Sequence, residues 1–498
     1  MSRHRRKFVL VGAGVVSIPV VLGGVYLFFE RETTIRPESY GYVGSETCGT
    51  CHVLNYPGWK GTLHATMVQE ATPQTVRGDF DNQNEYWLHD GVRGPAPPDD
   101  RVLVRLLRDW DEYYAYIYDP DTGRMNPYRI THTIGTAFRQ TYLVESMGTF
   151  FRVPIQWSVK QKRWVNLWNR QTAKDETLTG PMELFLNPHA RWNETCARCH
   201  TTGYRLEGTG QWSEMGIACE ACHGPGLEHV NYFLDSKLRR LRSELLKAAG
   251  SEPPTYIVRP SKLDPEKSIS VCAQCHQADI WLKNVPRYVG FEPGEDLSDH
   301  FYEIPLEPDC QEPPSNKTWP DTTPRGPGVL FRSFAESRCF LEGGVTCIDC
   351  HAMHDPGEYR ELLRAGTASD DFCLRCHEGI ADPIETHTHH RMDGEGSRCY
   401  GCHMPRLIEG LEMVGDYDYG RVRTHELDHI PYPESSVRFG GVEEMPNACN
   451  ECHADQTSEW ASEWATKWWG PRQEIQAEID ARIAASGGGQ AEQKTRGL

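Results

Sequence analysis

Basic residues are scarce in this chain. Lys and Arg number 52 against 70 Asp and Glu, a formal net charge of −18 over 498 residues. Nucleic-acid binding needs basic patches, so that class is excluded. An acidic surface instead favours cationic partners, or proteins carrying complementary patches. Apolar side chains are also thin, at 38%, while 45 Gly and 33 Pro favour turns and coil. A chain of this length could bury two to four ordinary cores, but this composition points to apolar surface supplied by something other than side chains. Closely spaced Cys ending in Cys-Pro, as in ferredoxins, are absent. No solenoid period is visible either.

What is present is one five-residue string, repeated eight times: Cys, two variable residues, Cys, His. The copies are Cys48, Cys51 and His52; Cys196, Cys199 and His200; Cys219, Cys222 and His223; Cys272, Cys275 and His276; Cys347, Cys350 and His351; Cys373, Cys376 and His377; Cys399, Cys402 and His403; Cys449, Cys452 and His453. This is the attachment string for haem c. Each thiol adds to a vinyl group of the macrocycle, and the adjacent His becomes an axial ligand to iron. Structural zinc also uses Cys-x-x-Cys, but two pairs share one metal and no His need follow each pair. A thioredoxin-type redox disulfide needs one motif, not eight. Eight covalent haems are therefore expected, with iron rather than a side chain carrying the chemistry. Their macrocycles account for the missing apolar surface.

Sixteen of the 18 Cys lie in these motifs; Cys310 and Cys339 remain, either as a disulfide or as two buried thiols. Of 21 His, eight are in motifs and His4 precedes the apolar run, which leaves twelve for the opposite iron faces. A second His closes an iron for electron transfer; an open face admits a small molecule. His354 follows His351 by three residues and projects from the same segment. His229 follows a Cys-His-Gly-Pro-Gly turn, and His64 sits twelve residues beyond His52. His389 lies in a Thr-His-Thr-His-His cluster.

The N-terminus is basic (Arg3, Arg5, Arg6, Lys7) and is followed by an apolar run at residues 8–29. At 1.5 Å per residue, such a run spans a bilayer. It ends in Tyr-Leu-Phe-Phe-Glu-Arg-Glu, without an Ala-x-Ala cleavage pattern. An uncleaved signal anchor is expected, a cleaved signal peptide being the alternative, with the basic end in the cytoplasm and the haem body outside the inner membrane.

The expected organisation follows. Residues 1–29 form the cytoplasmic start and transmembrane helix, and 30–75 a tether and first haem module. Residues 76–185 are β-rich: runs at 101–107, 112–118, 140–145, 149–159 and 164–168 are rich in Val, Ile, Tyr, Phe and Trp and separated by turn signals. A meander of four to six strands is expected over about 100–170. Residues 186–290 carry motifs 2 to 4, 291–338 a Pro-rich connection, and 339–455 motifs 5 to 8. The last four begin with Cys347, Cys373, Cys399 and Cys449, the first three at equal intervals. In 456–498, Thr457-Ser458 can cap a helix with Trp460, Trp464 and Trp468 on one face. The fold class expected is a multihaem cytochrome, mostly α and coil wrapped around haem.

Several strings resemble the cytochrome c-554-like multihaem family. They are Tyr42-Val-Gly-Ser-Glu-Thr-Cys-Gly-Thr-Cys-His with Trp59 and His64; Cys219-Glu-Ala-Cys-His-Gly-Pro-Gly-Leu-Glu-His229; and the doubled-motif segment Thr346-Cys-Ile-Asp-Cys-His-Ala-Met-His354. Cys399-Tyr-Gly-Cys-His-Met-Pro, with the later Pro446-Asn-Ala-Cys-Asn-Glu-Cys-His and Trp helix, is similar to octahaem chains often fused to tetratricopeptide repeats. The resemblance implies distal ligands at His64, His229, His354, His389 and one of His425 or His429. Eight uniform motifs, surplus His and the anchor together suggest redox partners: a quinol-linked donor and a periplasmic cytochrome or reductase. Some relatives reduce nitrogen or sulfur oxyanions, some of them through a Cys-x-x-Cys-Lys motif that this chain lacks. Three readings follow: a membrane-anchored electron relay, a reductase with one five-coordinate haem, and a subunit of a cytochrome filament.

Overall fold

A computed structural model describes residues 40–484 with gaps, the longest at 87–103, 167–190, 304–317 and 409–421. The expected membrane helix at residues 8–29 and Cys310 lie outside the described residues. Among these residues, no helix is long and apolar enough to cross a membrane.

An antiparallel eight-stranded sheet dominates the first half. Its strands are β1 Val68–Glu70, β2 Glu85–Tyr86, β3 Val104–Asp109, β4 Glu112–Asp119, β5 Arg124–Ile134, β6 Arg139–Ser146, β7 Thr149–Ser158 and β8 Arg163–Asn166. From β2 to β8 each strand pairs with the next, so this part is a meander. β1 joins the far end of β5, with Val68 opposite Ile134. Alternation on β3 and β4 places Val104, Leu106, Tyr113, Ala115 and Ile117 on one buried face. They meet Phe80, Tyr142, Val153, Ile155, Trp157 and Trp164 in a core belonging to the sheet itself. Phe80 stands edge-on to Tyr113, Tyr142 and Trp164 at 4.9–5.3 Å, the arrangement aromatic quadrupoles favour.

A second cluster ties the sheet to motif 2. Val68 and Leu143 pack with Trp192, Ala197, Tyr204, Phe291 and Phe301. Elsewhere short helices alternate with turns, as the Gly and Pro content requires. Within the Pro-rich stretch, Trp319 is buried and donates from Nε1 to the Leu407 carbonyl at 3.3 Å. Helix Ser458–Trp469 starts as read: Thr457 accepts from Trp460 N at 3.2 Å, and Gly470 ends it with φ 81°.

Candidate haem-binding site

Most motifs are presented by a short helical turn, for example Ser45–Gly49, Cys219–His223, Cys399–His403 and Ala448–Cys452, and motif 4 by the end of a longer helix, Pro265–His276. Capping fixes where several of these turns begin. Thr346 and Asp349 form a reciprocal capping box before Cys347, and Asn447 accepts from Asn450 N at 2.9 Å before Cys449. Motif 1 is held by two carboxylates. Glu220, a spacer residue of motif 3, is buried and accepts from Val43 N (2.9 Å), Gly44 N (2.9 Å) and Gly226 N (2.7 Å). Glu214 accepts from Ser45 N and Oγ at 2.9 and 3.0 Å.

The motifs open onto one cavity of about 2670 Å³, lined by seven of the eight motif histidines: His52, His200, His223, His276, His351, His377 and His403. Single-ligand pockets measure about 300–1,000 Å³, so this space suits several large groups.

Across the site, histidines face each other in pairs. Motif residues His52, His223, His351, His403 and His453 face His229, His354, His425, His387 and His390, with ring centroids 5.8–6.4 Å apart. His276 faces His64 at 6.1 Å. Imidazole binds a first-row metal at about 2.0–2.1 Å. Two such bonds plus the inner half of each ring give about this spacing.

Backbone carbonyls orient five of these rings. Nδ1 of His223 donates to Val258 O (2.7 Å), His229 to Thr255 O (2.7 Å) and His403 to Leu427 O (2.8 Å). His390 donates to Thr388 O (2.6 Å) and His425 to Arg423 O (3.1 Å). A ring whose Nδ1–H is committed this way keeps Nε2 bare for a metal. Burial also holds His64 and His425 neutral, pushing both down to about 4. The donor set, its spacing and the cavity fit haem c.

Of the five histidines singled out in the sequence, His64, His229, His354 and His425 each face a motif ring. His389 does not. It caps helix Ile384–Thr388 in the left-handed conformation, φ 54°, and its ring lies flat on Trp468 at 5.1 Å. Its neighbours His387 and His390 face motifs 7 and 8 instead. His429 is outside the described residues. His387 lies in helix Ile384–Thr388 while His390 follows its left-handed cap, so helical spacing carried no signal for this pair.

Close packing also controls one ring at a distance. At Gly58 an added Cβ would strike the His354 carbonyl oxygen. Gly58→Ala should therefore push His354 away from His223 and turn one low-spin signal high-spin; an unaltered spectrum would show that the contact gives way freely.

Two motif histidines face no histidine ring among the described residues. His377 is exposed. His200 is half-buried, with its Nδ1 enclosed and lacking a hydrogen bond. Burial, then the Arg152 guanidinium, lowers its proton affinity to about 4.

The family of cytochrome c554 and c-prime matches residues 156–224, and the doubled CXXCH motif matches residues 340–382. These segments contain motifs 2 and 3 and motifs 5 and 6. The chain is a multihaem c-type cytochrome. Its fold is similar to the crystal structure of the outer cell wall cytochrome OcwA: TM-score 0.55, 17% identity, covering 90% of this chain and 91% of that one. The Wolinella succinogenes octaheme sulfite reductase MccA aligns at TM-score 0.33 and 14% identity, over 81% of this cytochrome and 60% of that chain. No curated protein matches.

Proposed function

We propose that this cytochrome is an electron relay carrying eight haems, six of them each held between two histidines. The six facing ring pairs support this reading. When bound, haem supplies one-electron exchange at iron. The chain's own contribution is to hold the rings, exclude competing ligands and bring the motifs close together. Helices of different motifs pack on one another, motif 1 on motif 3, motif 4 on motifs 2, 3 and 5, and motif 7 on motif 8, so neighbouring sites are in contact. We place the haem body outside the inner membrane, tethered by residues 8–29, between a quinol-linked donor and a periplasmic acceptor. Recovery of a soluble chain starting after Glu30 would refute the tether.

The deciding experiment is His354→Ala. Attachment needs only the Cys-x-x-Cys-His unit, so haem content should stay at eight per chain. One low-spin signal in electron paramagnetic resonance should become high-spin. An unchanged spectrum would remove His354 as a ligand.

A second reading has an observation of its own. The region facing His200 offers no histidine among the described residues and lies close to the cationic Arg152. Such a site would suit reduction of a small nitrogen or sulfur oxyanion. A high-spin signal that shifts with nitrite, and loses that response in Arg152→Leu, is expected on this reading. Uniformly low-spin iron inert to nitrite and cyanide would leave the pure relay.

A further inference from the structure

Motif 4 differs from the other motifs in where it sits and in how its ring is faced. Its helix, Pro265–His276, packs against the helices of motif 2 (Ala197–His200), motif 3 (Cys219–His223) and motif 5 (Cys347–Cys350). The joints are specific. Gln274, a spacer residue of motif 4, donates from Nε2 to Ala221 O within motif 3 at 3.1 Å. Its carbonyl accepts from Arg198 Nη1 and from Cys199 Sγ, both within motif 2. On the third side Cys272 meets Cys347 of motif 5.

From these contacts three arms lead away. Motif 3 continues to motif 1, whose helix Ser45–Gly49 packs against it. Motif 5 continues along the chain to motif 6, with Arg364 N donating to the Cys350 carbonyl at 2.9 Å on the way. Motif 6 continues to motif 7, where Asp370 at the start of the motif 6 helix accepts from Cys399 N at 2.8 Å, and the helix of motif 7 packs on that of motif 8. Motif 2 is a side arm of its own.

The ring geometry at the centre is also distinct. His64 and His276 cross at 75°, whereas the other five facing pairs lie between 10° and 34°. The backbone of His64 is held from a neighbouring element: its carbonyl accepts from Ile217 N at 3.1 Å, just before motif 3. In ferric iron between two imidazoles, parallel rings split the two dπ orbitals that the ring π systems address. Crossed rings leave them nearly degenerate. The first case gives a rhombic low-spin signal; the second gives a strongly anisotropic one with a single very large g value. Crossed rings also stabilise the ferric state less, which raises the potential.

We propose that motif 4 is the branch point of this cytochrome's electron network, carrying a haem set apart by crossed axial histidines and joining three arms: motifs 3 and 1, motifs 5 to 8, and motif 2. This rests on the relay reading. Each transfer oxidises one iron(II) and reduces one iron(III), and no atom moves. A higher potential at the junction makes it the site where an electron dwells before it leaves by any arm.

The test is a redox titration of the full holoprotein followed by electron paramagnetic resonance. One large-g anisotropic signal should appear beside the rhombic ones and titrate at the higher potential. In His64→Ala that signal alone should vanish, with one high-spin signal gained. After rapid mixing with dithionite and freezing at intervals, the anisotropic signal should disappear before the high-spin signal that Arg152→Leu perturbs, which marks motif 2 apart from motif 6. The proposal is overturned if the wild type lacks the anisotropic signal, if that signal titrates below the rhombic set, or if motif 2 is reduced first. It is equally overturned if His64→Ala removes a rhombic signal instead. Should that variant not mature, the wild-type titration decides alone. Failure of the relay reading looks different, because the rhombic low-spin signals themselves would then be missing.

Discussion

Expressed without the machinery that attaches haem, this chain is expected to be degraded or to aggregate, leaving at most a protease-resistant fragment from the β-sheet. The structure divides its apolar packing unequally. Strands β2 to β8 enclose a core of their own, with Phe80, Tyr142 and Trp164 at its centre, and that core touches no motif cysteine. Around the motifs the walls instead line a void of about 2670 Å³. A void of that size cannot persist as empty space, since interiors close-pack. Haem removal exposes the apolar walls to water and also deletes every cross-link made through iron. Limited proteolysis with mass spectrometry should recover a fragment within about residues 66–166. A soluble full-length chain that unfolds cooperatively without haem would contradict this account.

The second large effect is expected at Glu220. Replacement by Leu keeps the volume but leaves the N–H groups of Val43, Gly44 and Gly226 without their acceptor. An unsatisfied buried polar group costs about 1–3 kcal/mol. Three together would reach about 3–9 kcal/mol if fully buried; Val43 and Gly44 are half-buried, so a loss near the lower end, about 3–5 kcal/mol, is expected where residues 43–45 lead into motif 1. Hydrogen exchange should show these amides opening, with a fall in the denaturation midpoint. Glu220→Gln, which retains one carbonyl oxygen, should fall between. Equal stability of Glu220→Leu and the wild type would mean that other groups or water satisfy these amides.

The parts of this architecture that were legible in the sequence are those written in short-range pattern. The eight motifs are contiguous strings. β4, β6 and β7 are rich in aromatic and β-branched residues, and β3 and β4 alternate inward with outward positions. β5 escaped notice although it lies between β4 and β6. It contains Asn126, Pro127, Arg129 and His132, and only Ile130 and Thr133 along it are buried. Its place is fixed by neighbours on both sides rather than by its own periodicity, and a register shift between Ile130 and His132 further breaks the alternation. β1 was hidden for a similar reason: three residues next to motif 1 carry no strand signal until Val68 meets Ile134. Among the histidines, proximity to a motif was informative for His64, His229 and His354. In the 387–390 cluster it was not, because a single left-handed residue decides which rings turn inward. The crossing of His64 over His276 is a purely tertiary fact.

The facing pairs also carry a consequence for biogenesis. His229, which faces motif 1, follows motif 3; His354, which faces motif 3, follows motif 5; His425, which faces motif 5, follows motif 7. A chain emerging N-terminus first would therefore present each of these cysteine pairs well before the histidine that completes its site. Maturation would run as a staggered queue, each early haem waiting half-ligated and reactive until a segment roughly 75–180 residues downstream arrives to close it.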